Sequence, residues 1–290
     1  MRKDLILPAL ALAGGGAGFG LRWRQIASAF DPQSMLFRTG APATLALAVL
    51  AAAAAAALLW LTRGGKTPED WAGAFRCSSP VYMTLMAAGG LLLFAAAALG
   101  LLEGMGLLAL WKQGGYESFP LMHLMAAALC VPAGIAALAL GKGNYRGELP
   151  RQYPLLATLP AYAALPWAVS LYQEHSRQPE LMIFLPALAG VVCAALGLYA
   201  QAAFAFQRPR GKLCLFFSLM GAALLLTALA DRPNRFFAVM SLACVLLLLG
   251  QSFALARNMF GSPQAEPPAG ERMPSGAQEE RTGGIQEENE

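Results

Sequence analysis

The chain reads as long apolar stretches separated by short polar ones. Runs long enough to cross a hydrocarbon core, about 17–25 residues, fall near 5–21, 41–62, 80–102, 119–140, 155–172, 181–206, 213–230 and 236–256. The intervals between them carry turn and charge chemistry, as in "RGGKTPED", "GKGNYRGELPRQYP", "QRPRGK" and "DRPNR". None of the runs alternates with the period of two expected of barrel strands. A segment in lipid must also satisfy its own backbone polar groups, which a helix does. The pattern therefore predicts an all-α fold, a polytopic transmembrane helix bundle of about eight spans over residues 1–260. Residues 261–290 break the pattern: they are rich in Pro, Gly and Glu and hold no aromatic residue. Such a segment buries too little apolar surface to offset the entropy of ordering, and a disordered cytoplasmic tail is expected there.

Composition sharpens this picture. The chain is 57% hydrophobic and 13% charged, against about 25% charged residues in ordinary soluble domains. Its formal charge of +4 is unevenly spread, because seven Glu and two Arg give the tail −5 and leave +9 on the rest. Lys and Arg flank membrane helices as a rule, so the basic body calls for no nucleic acid; the partner it implies is the lipid bilayer. Counted along the alternating loops, twelve Lys and Arg fall on the side of the N-terminus and seven on the other. Both termini are expected to be cytoplasmic, in a multi-pass protein of the cell membrane.

The stretch "GGGAGFGLRWRQ" invites three readings. A dinucleotide-binding loop needs a third glycine where Leu21 stands and a preceding strand, and neither is present. A cleaved signal peptide would use Arg2, Lys3 and the "ALA" at residues 11–13, but Asp4 and Pro8 interrupt its short core. The remaining reading is a retained first span. Gly14 with Gly18, and Gly16 with Gly20, have the spacing that lets another helix approach closely. Arg22, Trp23 and Arg24 would then sit at the outer interface with both arginines reaching toward water.

Candidate chemistry is sparse. The five cysteines are scattered and form no C-x-x-C pair, so no metal site or disulfide framework is indicated. No Asp, Glu, Lys or Arg lies near the middle of a run, which leaves a proton-coupled carrier poorly equipped. A bis-imidazole haem would have to use His123 and His175, the only two histidines, and no nucleophile, zinc or phosphate-loop motif occurs. No cofactor is expected. The fifth run, "YPLLATLPAYAALPWAVSLYQEH", does stand out. Pro160 and Pro166 each remove a backbone donor, which predicts a kink or local unwinding that frees carbonyls near Thr158 and Tyr162. The same run ends in Tyr172, Glu174 and His175, facing the side to which Arg22, Arg24, Asp31, Glu103, Glu117, His123, Asp231 and Arg232 are also assigned. These residues form a small polar site, an anion-binding rim or a docking face, or else line a wetted interface where they never meet.

Five strings, "AGFGLRWRQIASAFDP", "AFRCSSPVYMTLM", "LALGKGNYRGE", "SLYQEHSRQPEL" and "FAFQRPRGKLCLFFSLMG", together resemble an uncharacterised family of multi-spanning bacterial integral membrane proteins. The resemblance covers roughly residues 5–258 and implies a helical membrane fold, with no activity or site residue attached. Three functional classes stay open. The first is transport or binding of a solute or lipid through the proline-kinked fifth helix. The second is a non-catalytic membrane subunit or scaffold, and the last an enzyme built on the outer Glu and His residues.

Overall fold

The computed structural model describes residues 3–31, 36–37, 40–114, 119–175 and 181–261. The expected order of residues 262–290 and the placement of Glu117 fall outside the described residues, as do the side chains of Asp31 and His175. Eight of the described helices are long and apolar enough to cross a membrane. They are α1 (Lys3–Ala29), α2 (Pro42–Leu61), α4 (Pro80–Lys112), α5 (Leu121–Arg146), α6 (Tyr153–His175), α7 (Leu181–Ala205), α8 (Gly211–Ala228) and α9 (Arg235–Phe260). A short helix, α3 (Trp71–Phe75), interrupts the loop after α2, and β1 (Phe30–Asp31) pairs antiparallel with β2 (Leu36–Phe37) after α1.

Several helices outrun their apolar runs. The first was expected to end near residue 21, yet α1 continues to Ala29 and carries Arg22 and Arg24 inside the helix. Likewise α4 extends past Glu103 to Lys112. Hydrophobicity marks where lipid ends, whereas a helix ends where its backbone finds other partners. The fifth span also departs from expectation. Between Tyr153 and His175 the helix is unbroken despite Pro154, Pro160 and Pro166, so local unwinding does not occur. The missing N–H groups of Pro160 and Pro166 leave the carbonyls of Leu156 and Tyr162 without their helical donors. Packing against α5 and α7, with Ala157, Ala163, Ala164 and Trp167 buried, holds the helix through these gaps.

Helices α4 to α8 follow one another as packed neighbours, and α9 fills the space they enclose, touching α1, α4, α7 and α8. Its side chains also reach α5 and α6, through Cys130 Sγ against Met240 Sδ at 3.5 Å and Trp167 beside Phe237. Helix α2 stands toward the outside, packed mainly on α1 and α8, and exposes Val49, Leu59 and Trp60. In lipid no water-driven force pulls such helices together; close contact at small residues does. On α1 the buried stripe is Leu7, Ala11, Gly15, Gly18, Arg22, Gln25 and Ala29. The helix approach expected of the glycines is therefore real, but it runs through Gly15 and Gly18: a Cβ on Gly15 would strike Leu226, and one on Gly18 would strike Thr227, while Gly14, Gly16 and Gly20 face open space.

The bundle has two unlike ends. At one, Lys3 Nζ donates to Leu61 O at 3.2 Å and the Lys66 N–H donates to Met259 O, joining the start of α1 to the ends of α2 and α9. Here α3 is capped by Asp70, which accepts from Gly73 N–H at 2.9 Å, and it plugs the bundle with Trp71 and Phe75. Trp71 Nε1 donates to Asn144 Oδ1 at 3.0 Å, and Asn144 Nδ2 donates to the Tyr82 hydroxyl at 2.8 Å, closing a buried polar network. Asn258 ties the plug to α9 by donating to Ala74 O and Arg76 O.

The α1–α8 contact makes a measurable demand. Gly18→Leu should destabilise the folded chain in detergent by about 1–3 kcal/mol through overpacking, whereas Gly16→Leu, which points into open space, should leave the melting temperature unchanged.

Candidate functional site

The opposite end gathers most of the residues singled out in the sequence. Arg22 lies on the buried stripe of α1 and is only 1% exposed. Its Nε donates to Asp231 Oδ1 at 2.6 Å, its Nη1 donates to Gln25 Oε1 at 2.7 Å, and its guanidinium sits over the Phe37 ring at 5.3 Å. Gln25 Nε2 in turn donates to Thr44 Oγ1 at 2.8 Å, so one cation links α1, the β-hairpin, α2 and the segment after α8. Arg24 is exposed, whereas the expectation that Arg22 reaches toward water fails. A helix presents one face per three or four residues, and Arg22 shares its face with Gly18 and Gln25.

The segment after α8 is shaped for this pairing. A single 3-10 turn, Leu229–Asp231, aims Asp231 at Arg22; the next residue, Arg232, takes φ +52° and lies over the Trp23 ring at 5.0 Å. Pro233 follows, and Asn234 caps α9 by accepting from Phe237 N–H at 2.8 Å. Glu103 from α4 accepts from Phe236 N–H at 3.3 Å, placing a carboxylate at the positive end of α9. His123 is buried against the Phe236 ring at 4.9 Å with Nε2 3.1 Å from Gly100 O. Since a carbonyl only accepts, Nε2 is the donor in this contact.

Two recesses flank the C-terminal half of α6. One, of about 370 Å³, brings together Glu103, His123, Ser170, Gln173, Glu174 and Asn234. The other, of about 240 Å³, lies between α6, α7, α8 and α9 and is lined by Trp167, Glu174, Val191, Asp231, Arg232 and Ser241 among others. Glu174 and Asn234 border both. Trp167, Ser170 or Leu171, and Glu174 follow one another at helical spacing, so one face of α6 walls both recesses. Sequence reasoning passed over Trp167, and the spacing of seven residues back from Glu174 was the available signal.

Of the sequence candidates, Glu103, His123 and Glu174 meet around one recess, and Arg22 reaches the neighbouring one through Asp231. Tyr172 is exposed and borders neither described recess. Thr158 and Tyr162 lie elsewhere, in an outward groove of about 750 Å³ between α6 and α7 that also holds Tyr199 and Arg208. Thr158 Oγ1 is engaged locally, donating to Leu155 O at 2.7 Å. Among the described residues no three His, Cys, Asp or Glu side chains gather as metal ligands. Comparison with protein-family models, with curated proteins and with solved structures returns no match to this chain. The arrangement is suited to holding a small molecule between polar groups at the mouth and apolar walls beneath.

The Arg22–Asp231 contact should be worth far more than the exposed charges beside it. Removing one partner of a buried pair is typically worth about 3–5 kcal/mol, so Arg22→Ala should sharply lower the melting temperature of the purified chain. Arg24→Ala should change stability by no more than about 0.5 kcal/mol. Replacing both Arg22 and Asp231 by apolar residues should recover part of the loss, and a double mutant with additive losses would refute the coupling.

Proposed function

We propose that this membrane protein binds a small solute at the α6-walled recesses and takes part in its passage across the bilayer. The observation that carries this reading is the single face of α6, from Trp167 to Glu174, that borders a recess on either side. Passage is supported by the seam between α6 and α7, which opens at one end beside Glu174 and at the other beside Thr158 and Tyr162. The two helices bury small residues along this stretch, Ala163 and Ala164 of α6 and Ala194 of α7. Prolines in both helices, Pro160 and Pro166 in α6 and Pro186 in α7, remove backbone bonds along that seam, which suits helices that bend to pass a solute.

A second reading is a non-catalytic membrane subunit. It is favoured by α2, whose span is 6% buried and whose apolar surface would suit a neighbouring helix as well as lipid. Stoichiometric copurification of another membrane protein in mild detergent, lost on substituting Val49 and Trp60, would support that reading over the first.

Both proposals place the start of α1 and the end of α9 in the cytoplasm, following the basic-loop count. Reporters fused after Arg257 and within "GKGNYRGELP" should report the cytoplasm, and one fused within "QEHSRQPE" the opposite side. An external tail fusion would invalidate this orientation. Binding is tested by melting the purified chain against a library of small metabolites. A ligand that binds only the folded state at one hundred times its Kd stabilises by about 2.7 kcal/mol, and Glu174→Ala should weaken the response. A library that shifts nothing, or shifts that ignore Glu174→Ala, would refute the reading.

A further inference from the structure

The outward groove of about 750 Å³ between α6 and α7 has its polarity arranged along the membrane normal. Tyr153 and Phe204 pack against Trp71 and Phe75 of α3, so the start of α6 and the end of α7 lie at the end of the bundle that α3 plugs. Arg208 borders the groove there, and Leu165, Ala195 and Leu196 border it deeper in the membrane. From Ala195 to Phe206 the α7 wall rises about 16 Å, close to half of the roughly 30 Å hydrocarbon core. The groove is therefore about as long as one leaflet is deep.

Charge at the shallow end is one-sided. The last turns of α5, the loop that follows and the α7–α8 connection carry Lys142, Arg146, Arg151, Arg208, Arg210 and Lys212, all exposed, against Glu148 as the one carboxylate in these segments. None of the six forms an ion pair among the described residues. Arg208 alone among them borders the groove, and the backbone fixes it there. Helix α7 closes with Gln207 at φ +57° and the Arg208 N–H donating to Ala203 O at 3.0 Å, and Pro209 stops the helix from resuming.

The walls disfavour a neighbouring helix as occupant. Helices in lipid meet at small residues, whereas Tyr162, Leu165, Tyr199 and Phe206 on this groove are each more than half exposed. The two tyrosines lie about 13 Å and about 9 Å inside the ends of their helices, and neither hydroxyl has a hydrogen-bond partner among the described residues. Hydroxyls at that depth have little water to bond, and the oxygens of a lipid backbone supply acceptors.

We propose that the α6–α7 groove holds one anionic phospholipid from the leaflet at the α3 end, with its phosphate against Arg208 and an acyl chain along Tyr162, Leu165, Leu196 and Tyr199. A basic recess between helices with an apolar groove beneath it matches both parts of such a molecule. The inference does not rest on the solute-binding reading, whose Glu174 lies at the opposite end of α6.

The test uses the full chain in phosphatidylcholine nanodiscs with fluorinated tyrosines, the Tyr162 and Tyr199 signals being assigned by their loss in the Phe variants. Two lipids with a nitroxide on the acyl chain are compared, phosphatidylglycerol and phosphatidylcholine. Several cations at about 1 kcal/mol each should let labelled phosphatidylglycerol broaden both signals saturably, at a mole fraction about tenfold below that needed for phosphatidylcholine. Arg208→Gln should remove most of this preference, whereas Arg210→Gln, which deletes the same charge from the same loop outside the groove, should keep it. Should Arg208→Gln not fold, Ala195→Phe, which fills the groove and leaves every cation, should abolish the saturable broadening. Equal broadening by the two lipids would overturn the proposal, and equal losses in the two arginine variants would reduce it to diffuse attraction to an anionic surface. A chain that forms dimers with tyrosine signals insensitive to both lipids would put a second copy in the groove instead. Loss of Glu174-dependent stabilisation by library ligands would refute the solute-binding reading and leave this one untouched.

Discussion

A guanidinium buried in a helical bundle has to be met by an anion, and the geometry around that requirement organises one whole end of this protein. Arg22 sits on the inward face of α1, so Asp231 must turn inward to reach it. The turn that achieves this puts Arg232 at positive φ and leaves Asn234 in place to cap α9. Glu103 then meets the amide of Phe236, and His123 packs on the same ring. The mouth of both recesses is thereby made from residues whose first role is to satisfy one another. Glu174 and Arg232 also line the recesses.

The two ends answer the same physical demand in opposite ways. Polar groups must be paired wherever the bundle excludes water. At the end holding α3 the pairing is complete and internal, with Trp71, Asn144 and Tyr82 in one chain of bonds and Asn258 holding the plug. At the other end, packing is looser between α6 and its neighbours, and Trp167 is left with space beside it. The two buried tryptophans differ in the same way: Trp71 donates to Asn144, and Trp167 Nε1 meets no partner among the described residues.

Much of the architecture was legible along the chain because spanning a membrane is a local requirement. Any stretch of the right length and apolarity meets it without reference to the rest of the molecule, so the eight spans could be located by inspection. The limits of the helices were less legible: α1 keeps its helical bonds through Arg22 and Arg24 because the face bearing Arg22 is buried, and no hydropathy pattern records that. The prolines of α6 pointed to a kink or unwinding, whereas the helix runs unbroken with α5 and α7 packed against it.

The candidate site divides along the same line. By itself, the sequence determined that polar residues near the ends of the fourth, fifth and third runs would share one side of the membrane, and Glu103, His123 and Glu174 do line a common recess. It could not reveal that Arg22 would face Asp231, because the partners lie 209 residues apart and the helices are apolar on nearly every side. With no polar face to orient them, their rotation is set by small residues such as Gly15 and Gly18 that admit a neighbour. That rotation, a property of the assembled bundle, decided that Arg22 turns inward, that Thr158 and Tyr162 face a separate outward groove, and that Trp167 borders a space its neighbours do not fill.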